Sequence, residues 1–355
     1  MKTPYLKFHK EKLISNYQDF HSICKKYFQN NFQICYSVKT NSNKEVIETL
    51  EKINSGFEIA SIKELKLTPK DSFKVMNGPA KTEKELKEAI KTKTILQIDS
   101  FSEIEKISKL KIKPEEAIIR LSTNNSKFGF SSDQIKEAII QLNKLKIKLA
   151  GFHIHQSTLN KFSEFEKNLK EQSKIIKPFL KEIKYLNLGG GFPDNYQLKN
   201  LNIKLENYMK EIYETLKDFK GTFIFEPGRN LVSDAYTLIT KAISIKEKNN
   251  IDYAILDIGI NFLSKITLAN FKFNKIIQES NEVNSNGNSK KQERIFDSPK
   301  PKTYTLAGPL LFNNDIIGKY FGTLEEGDLF EVENVGAYCI PLSWDIIYDK
   351  VKTYN

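Results

Sequence analysis

Lys39 closes an apolar run in Tyr36-Ser37-Val38-Lys39-Thr40-Asn41. In a chain this rich in lysine, most are only solvated charges. One that directly follows a buried strand is carried into the mouth of the sheet that the strand helps build. Desolvated there, it should have a lowered pKa and attack an aldehyde as a neutral amine. Gly189-Gly190-Gly191-Phe192-Pro193 and Glu226-Pro227-Gly228-Arg229 follow two later apolar runs. Glycines leave backbone N–H groups open to a phosphate. One glycine turn at a strand end is commonplace, whereas two at adjacent strand ends point to a phosphate cradle. His153 and His155 lie in Gly151-Phe152-His153-Ile154-His155-Gln156-Ser157-Thr158. On a strand they would share a face, as hydrogen-bonded core histidines or as half of a zinc site. No third ligand has suitable local spacing, so no metal is expected. The hydroxyls of Ser157 and Thr158 could donate to the phosphate.

These residues need a scaffold that brings strand ends together. Short runs rich in apolar and β-branched residues cover 33–38, 57–60, 73–77, 94–98, 117–121, 149–155, 185–188 and 222–226, and read as strands. Amphipathic helical patterns lie between them. Leu13, Tyr17, Phe20, Cys24 and Tyr27 share one helical face, as do Ile135, Ala138, Ile139, Leu142 and Leu145, and then Phe165, Leu169, Ile176 and Phe179. Eight strands alternating with helices predict an α/β chain forming a (β/α)8 TIM-type barrel, with a doubly wound open sheet as the competing topology. Beyond residue 235 the pattern turns strand-rich, at 236–246, 252–257, 302–306 and 328–333. The expected division is therefore a barrel over 25–235 and a mainly β C-terminal domain from 236–355, joined by 1–24 with an extra strand near 4–8. The polar stretch 278–302 reads as a long mobile surface loop.

Bulk properties exclude several classes. The chain has 355 residues, 39% of them apolar, enough for one large barrel and a smaller domain. No apolar run approaches the length of a membrane span, and residues 1–10 do not resemble a signal peptide. Three scattered cysteines (Cys24, Cys35, Cys339) suit a reducing cytoplasm. The net charge is +11, but lysines interleave with glutamates, as in Glu83-Lys84-Glu85-Leu86-Lys87-Glu88. That reads as a solvated helix face rather than a nucleic-acid surface.

Tyr-Ser-Val-Lys-Thr-Asn, Gly-Phe-Glu-Ile-Ala-Ser, Ser-Lys-Phe-Gly, Gly-Phe-His-Ile-His, Leu-Asn-Leu-Gly-Gly-Gly-Phe-Pro, Phe-Glu-Pro-Gly-Arg, Ala-Gly-Pro and Val-Gly-Ala-Tyr occur in this order. The ordered set resembles the ornithine/diaminopimelate decarboxylase family of fold-type III pyridoxal-phosphate enzymes, from Pro4 to about Asp349. That resemblance implies a barrel followed by a β domain, pyridoxal 5'-phosphate as cofactor, and Lys39 as the residue that holds it in a Schiff base. Glu226 would pair with the pyridinium nitrogen, and His155 would pack on the ring. Gly189, Gly190, Gly191, Gly228, Arg229 and Thr158 would surround the phosphate, with Tyr338 adding a hydroxyl from the β domain. Glu58 stands near the ring where aspartate is common. The implied reaction is decarboxylation of a small amino-acid substrate. A carboxylate at the ring nitrogen sustains an electron sink, whereas the related racemases place arginine there. The implied assembly is a two-fold dimer with shared active sites.

The Gly-Pro turn departs from the pattern. It reads Gly308-Pro309-Leu310-Leu311-Phe312-Asn313-Asn314-Asp315, with Leu311 where the family usually has cysteine and Phe312 where an acidic residue is frequent. Leu311, Phe312 and Asp315 are the residues this loop would offer to a substrate. Leucine cannot transfer a proton, and phenylalanine cannot pair with a distal ammonium. The substrate would then have an apolar or bulky distal part, or be a carrier-bound or peptide-like amino acid; otherwise decarboxylation has been lost and only cofactor binding kept. Ornithine is disfavoured. Diaminopimelate stays open but is not favoured, because Lys265 stands in about the place of an arginine after Asp257-Ile258-Gly259-Ile260-Asn261. An amino-acid racemase and a non-catalytic cofactor-binding paralogue are the alternatives.

Overall fold

A computed structural model describes residues 2–122, 126–156, 161–264, 267, 269, 271–277, 300–345 and 347–354. It divides into two compact units: Lys10–Ala235 with Gly336–Pro341, and Met1–His9 with Tyr236–Val335 and Leu342–Asn355.

Strand β1 (Tyr5–Phe8) belongs to the second unit. The first unit is a closed parallel barrel of β2 (Phe32–Ser37), β3 (Gly56–Ile59), β4 (Lys74–Met76), β5 (Ile95–Ile98), β6 (Glu116–Arg120), β7 (Lys148–His153), β8 (Tyr185–Asn187) and β9 (Thr222–Phe225). Pairing of Phe32, Gln33 and Ile34 with Phe223, Ile224 and Phe225 closes the ring. All eight expected strands are present, and the open-sheet alternative falls away. Most end one or two residues earlier than the apolar runs suggested, so the chemical residues stand just past the ladder.

The interior is layered by the two-residue strand period. Cys35, Val75, Ile118, Ala150, Tyr185 and Ile224 form one buried apolar cluster, with Phe73 and Ile95 packed against it. Two positions further along the same strands come Ser37, Asn77, Gln97, Arg120, Asn187 and Glu226, all buried. The apolar layer seals the barrel. The polar layer above it is the floor on which a site can be built.

The helix Lys10–Phe28 corrects the expected boundary at residue 25, since it lies in the barrel unit. Its buried face explains why. Phe20 meets Phe192 and Phe225, and Phe28 meets Phe223 and Phe225, at ring-centroid separations of 4.6–6.1 Å. The outward aromatics of β9 would otherwise face water. Gly336–Pro341 also joins the barrel unit, so Tyr338 comes from there and not from the β domain.

The second unit is an eight-stranded sheet. Strands β10 (Tyr236–Lys248), β11 (Ile251–Leu256), β12 (Lys272–Lys275), β13 (Lys302–Ala307), β14 (Ile316–Gly322) and β15 (Leu329–Glu333) follow the order β12-β15-β10-β11-β13-β14. β1 pairs antiparallel with β10 and parallel with β16 (Lys352–Tyr354). Strands β12, β14 and β16 were not foreseen. Each lacks a clean apolar alternation, as in the half-exposed pattern of β12. Of the expected 278–302 loop, residues 278–299 lie outside the described residues, and Lys302 opens β13.

Candidate active site

A cavity of about 310 Å³ opens at the C-terminal ends of the barrel strands. Lys39, Glu58, His155, Gly190, Gly191, Glu226, Gly228, Arg229 and Tyr338 all line it, joined by Ser37, Thr40, Asn77, Arg120 and Phe128. It lies where barrel sites are built.

Lys39 sits in a single 3-10 turn, Val38–Thr40, rather than on the strand. The Ser37 N–H donates to Pro227 O, just past the end of β9, at 3.1 Å. The Lys39 ammonium donates to Glu58 Oε2 at 2.5 Å, and Ser37 Oγ donates to the same oxygen at 2.6 Å. The lysine side chain is 45% exposed through the cavity mouth, while Glu58 is 1% exposed. Burial alone would depress the lysine. The carboxylate of Glu58, with Tyr338 and Glu226 beyond it, outweighs that and holds the pKa above the usual lysine value. The expected depressed amine is thereby corrected: without a ligand, Lys39 is an ammonium. Burial pushes Glu58 up, but Lys39 and the hydrogen bonds from Lys39 and Ser37 bring its pKa below the ordinary value.

Glu226 follows β9 and is buried. Gln97 Nε2 and Asn187 Nδ2 both donate to its Oε1, at 2.7 and 2.6 Å. Its Oε2 lies 3.7 Å from His153 Nε2. Burial and the neighbouring charge of Glu58 raise its pKa to about 7.

The two histidines part company because β7 ends at His153. His153 is fully buried in the floor, and neither ring nitrogen has a hydrogen-bond partner among the described residues. His155 lines the cavity, its ring centroid 6.0 Å from that of His153. Burial, then Arg120 and Lys39, lower its pKa to about 4. A neutral ring agrees with its Nδ1 accepting the Gly190 N–H at 3.4 Å. Glu226 supplies the third ligand atom that local spacing could not reveal: donors from His153, His155 and Glu226 lie within 4.8 Å of one another. Such a set could hold a cation, but the amine and arginine in the same cavity suit an anionic cofactor better.

The glycine loop is only partly free for a phosphate. The Gly189 N–H donates to Asn187 Oδ1 at 2.7 Å, and Gly189 is outside the cavity lining. Its φ of +64° and the 2.5 Å from an added Cβ to His155 Nδ1 require glycine there. Arg229 is buried 5.3 Å from the Tyr338 ring centroid. Tyr338 adopts φ +67° and donates its N–H to Thr40 O at 2.8 Å, a strained backbone of the kind that collects at sites. Thr158 lies outside the described residues.

Arg120, Asn77 and Gln97 were missed. Arg120 Nη1 donates to Asn77 Oδ1 at 2.9 Å and pairs with Asp99, and its guanidinium lies 4.2 Å from the Phe128 ring centroid. A signal existed, since each stands two residues past an interior apolar residue of its strand.

In the β unit, Leu311 is 88% exposed, and Phe312, 42% exposed, lies 6.0 Å from Trp344. Trp344 is itself partly exposed. Asp315 is buried, its Oδ1 accepting the Ile260 N–H at 2.7 Å and its Oδ2 the Leu310 N–H at 2.9 Å. Both oxygens are engaged in fixing the Gly-Pro turn. Lys265 lies outside the described residues.

The cavity fits the anticipated cofactor. Glu58 and Arg120 line it, and each carries a buried polar atom, Oε1 and Nε, without a hydrogen-bond partner among the described residues, as groups reserved for a ligand would be. The profile of the family "Pyridoxal-dependent decarboxylase, pyridoxal binding domain" matches residues 14–233. The chain belongs to the pyridoxal-dependent decarboxylases. It is a pyridoxal-phosphate-dependent amino-acid decarboxylase. The chain is 28% identical to the diaminopimelate decarboxylase of Vibrio cholerae, over 90% of this chain and 82% of the relative. It shares the fold of Helicobacter pylori diaminopimelate decarboxylase complexed with L-lysine (TM-score 0.84, 23% identity, 100% and 92% of the two chains covered). Vibrio vulnificus lysine/ornithine decarboxylase complexed with cadaverine is similarly close (TM-score 0.82, 21% identity, 99% and 94% covered). No described helix is long and apolar enough to cross a membrane.

Proposed function

We propose that Lys39 holds pyridoxal phosphate, that Glu226 faces its ring nitrogen, and that the substrate is an amino acid with an apolar or bulky distal end. The observation that carries this is one cavity containing both the Lys39–Glu58 pair and the buried Glu226. When bound, the cofactor supplies an electron sink for the bond between Cα and the carboxylate.

The chain's own residues do the rest. Glu226, fixed through Oε1 by two amides, can share a proton at Oε2 with a ring nitrogen and keep it positively charged. His155, neutral and beside Gly190, covers one ring face. Glu58 Oε2 accepts hydrogen bonds from Lys39 Nζ and Ser37 Oγ and so positions the lysine in the cavity. Lys39 returns as the nearest ammonium to protonate Cα once CO2 has left. Gly190, Gly191, Gly228, Arg229 and Tyr338 form the phosphate end.

For the distal part, the support is chemical: Leu311, Phe312 and Trp344 present exposed apolar surface, and the acidic group of that loop, Asp315, is engaged by backbone N–H groups. We propose that the chain works as a two-fold dimer in which this loop completes the partner's site, and that it resides in the cytoplasm, where the unpaired buried thiols of Cys24, Cys35 and Cys339 stay reduced.

The test is CO2 release from a panel of amino acids that vary at the distal end, with chiral analysis of residual substrate. Apolar or bulky substrates should outpace ornithine. Faster turnover of ornithine or of diaminopimelate would refute the substrate proposal, and inverted configuration without CO2 would favour racemisation.

A further inference from the structure

Thr40 lies one residue beyond Lys39 and is completely buried. Its hydroxyl has no hydrogen-bond partner among the described residues, although Thr40 lines the cavity. A buried hydroxyl that bonds nothing is costly, and native proteins rarely leave one without a reason. Its surroundings identify the end of the cavity it faces. A Cβ added to Gly228 would come 2.1 Å from Thr40 Oγ1 and 3.0 Å from Thr40 Cβ. The Thr40 carbonyl accepts the Tyr338 N–H at 2.8 Å, and Tyr338 lies beside Arg229. Lys39 points instead to Glu58. The turn Val38–Thr40 thus divides its side chains between an amine end and a Gly228–Arg229–Tyr338 end.

We propose that Thr40 is a further cofactor-positioning residue, its hydroxyl donating to the phosphate of pyridoxal phosphate. Glycine at 228 then serves two ends. It lets the backbone approach the phosphate, and it leaves room for the threonine side chain. Because Lys39 is the neighbouring residue, one short turn would fix both the amine and the phosphate and so set the distance between them. The proposal rests on the phosphate-end reading of the cavity.

The test compares Thr40→Val, Thr40→Ala and Thr40→Ser with the parent protein, all freed of cofactor. Binding of pyridoxal phosphate and of pyridoxal, which lacks the phosphate, is followed by absorbance titration. A hydrogen bond to a charged phosphate predicts that Thr40→Val weakens pyridoxal phosphate at least about tenfold and leaves pyridoxal unchanged. Thr40→Ser should bind both like the parent. The melting temperature of cofactor-free Thr40→Val should be unchanged or raised, because the hydroxyl it removes has no hydrogen-bond partner among the described residues. A merely structural threonine would give the reverse: a lowered melting temperature and equal weakening of both ligands. Either that pattern, or unchanged affinity for pyridoxal phosphate, overturns the proposal. Should Thr40→Val fail to fold, Thr40→Ala carries the same affinity comparison. If the parent protein binds pyridoxal as tightly as pyridoxal phosphate, the phosphate-end reading itself fails, and Thr40 with it.

Discussion

Glu226→Gln separates what the carboxyl costs the empty protein from what it gives the loaded one. Gln keeps the acceptor that Gln97 and Asn187 bond and loses only the ability to ionise. In the cofactor-free protein, burial and the charge of Glu58 raise Glu226 from 4.5 to about 7. A carboxyl with a raised folded-state pKa stabilises the fold fully below its unfolded pKa, and that contribution is lost as pH rises through the folded value. At about 1.4 kcal/mol per pH unit, the interval amounts to about 3 kcal/mol at most. The variant's stability relative to the parent should therefore climb by up to about 3 kcal/mol between pH 4.5 and pH 8, read from urea unfolding followed by circular dichroism. With cofactor, the variant should lose about 100-fold or more in turnover, as when a preorganised charge is removed from a buried site. Parallel stability curves for the two proteins, or near-parental turnover, would refute the reasoning.

Other perturbations follow from the same geometry. Gly228→Ala places a Cβ 2.1 Å from Thr40 Oγ1 and should cost about 1–3 kcal/mol by overpacking while abolishing cofactor uptake, measured by absorbance titration. Asp315→Ala strips the acceptors from the Ile260 and Leu310 N–H groups; a loss of about 2–5 kcal/mol is expected in thermal melts. Lys81→Met leaves Glu103, its buried partner at 3.0 Å, without a counter-charge. That should cost about 3–5 kcal/mol in urea unfolding, and adding Glu103→Leu should restore most of it.

Much of this molecule is legible in its sequence, for identifiable reasons. The barrel strands are buried on both faces, so they read as short apolar runs, and the glycine and glutamate loops that follow them are chemically conspicuous. The polar floor was harder to see. Asn77, Gln97 and Arg120 look like ordinary strand-end polar residues until the two-residue period places them above Val75, Ile95 and Ile118. The protonation of Lys39 was misjudged because its partner, Glu58, comes from the next strand, 19 residues away, a pairing that only register supplies. The role of Asp315 was hidden similarly, since one of its N–H partners, Ile260, lies 55 residues earlier in the chain. The edge strands β12, β14 and β16 have mixed polar and apolar faces that resemble loops.

The central claim is that one amine, at position 39, holds the cofactor opposite Glu226. Borohydride reduction of the yellow protein followed by peptide mapping tests it most directly. The phosphopyridoxyl group should be found on Lys39, and Lys39→Ala should be colourless and unlabelled. Recovery of the label on any other lysine, or a Lys39→Ala protein that stays yellow and reducible, would contradict it.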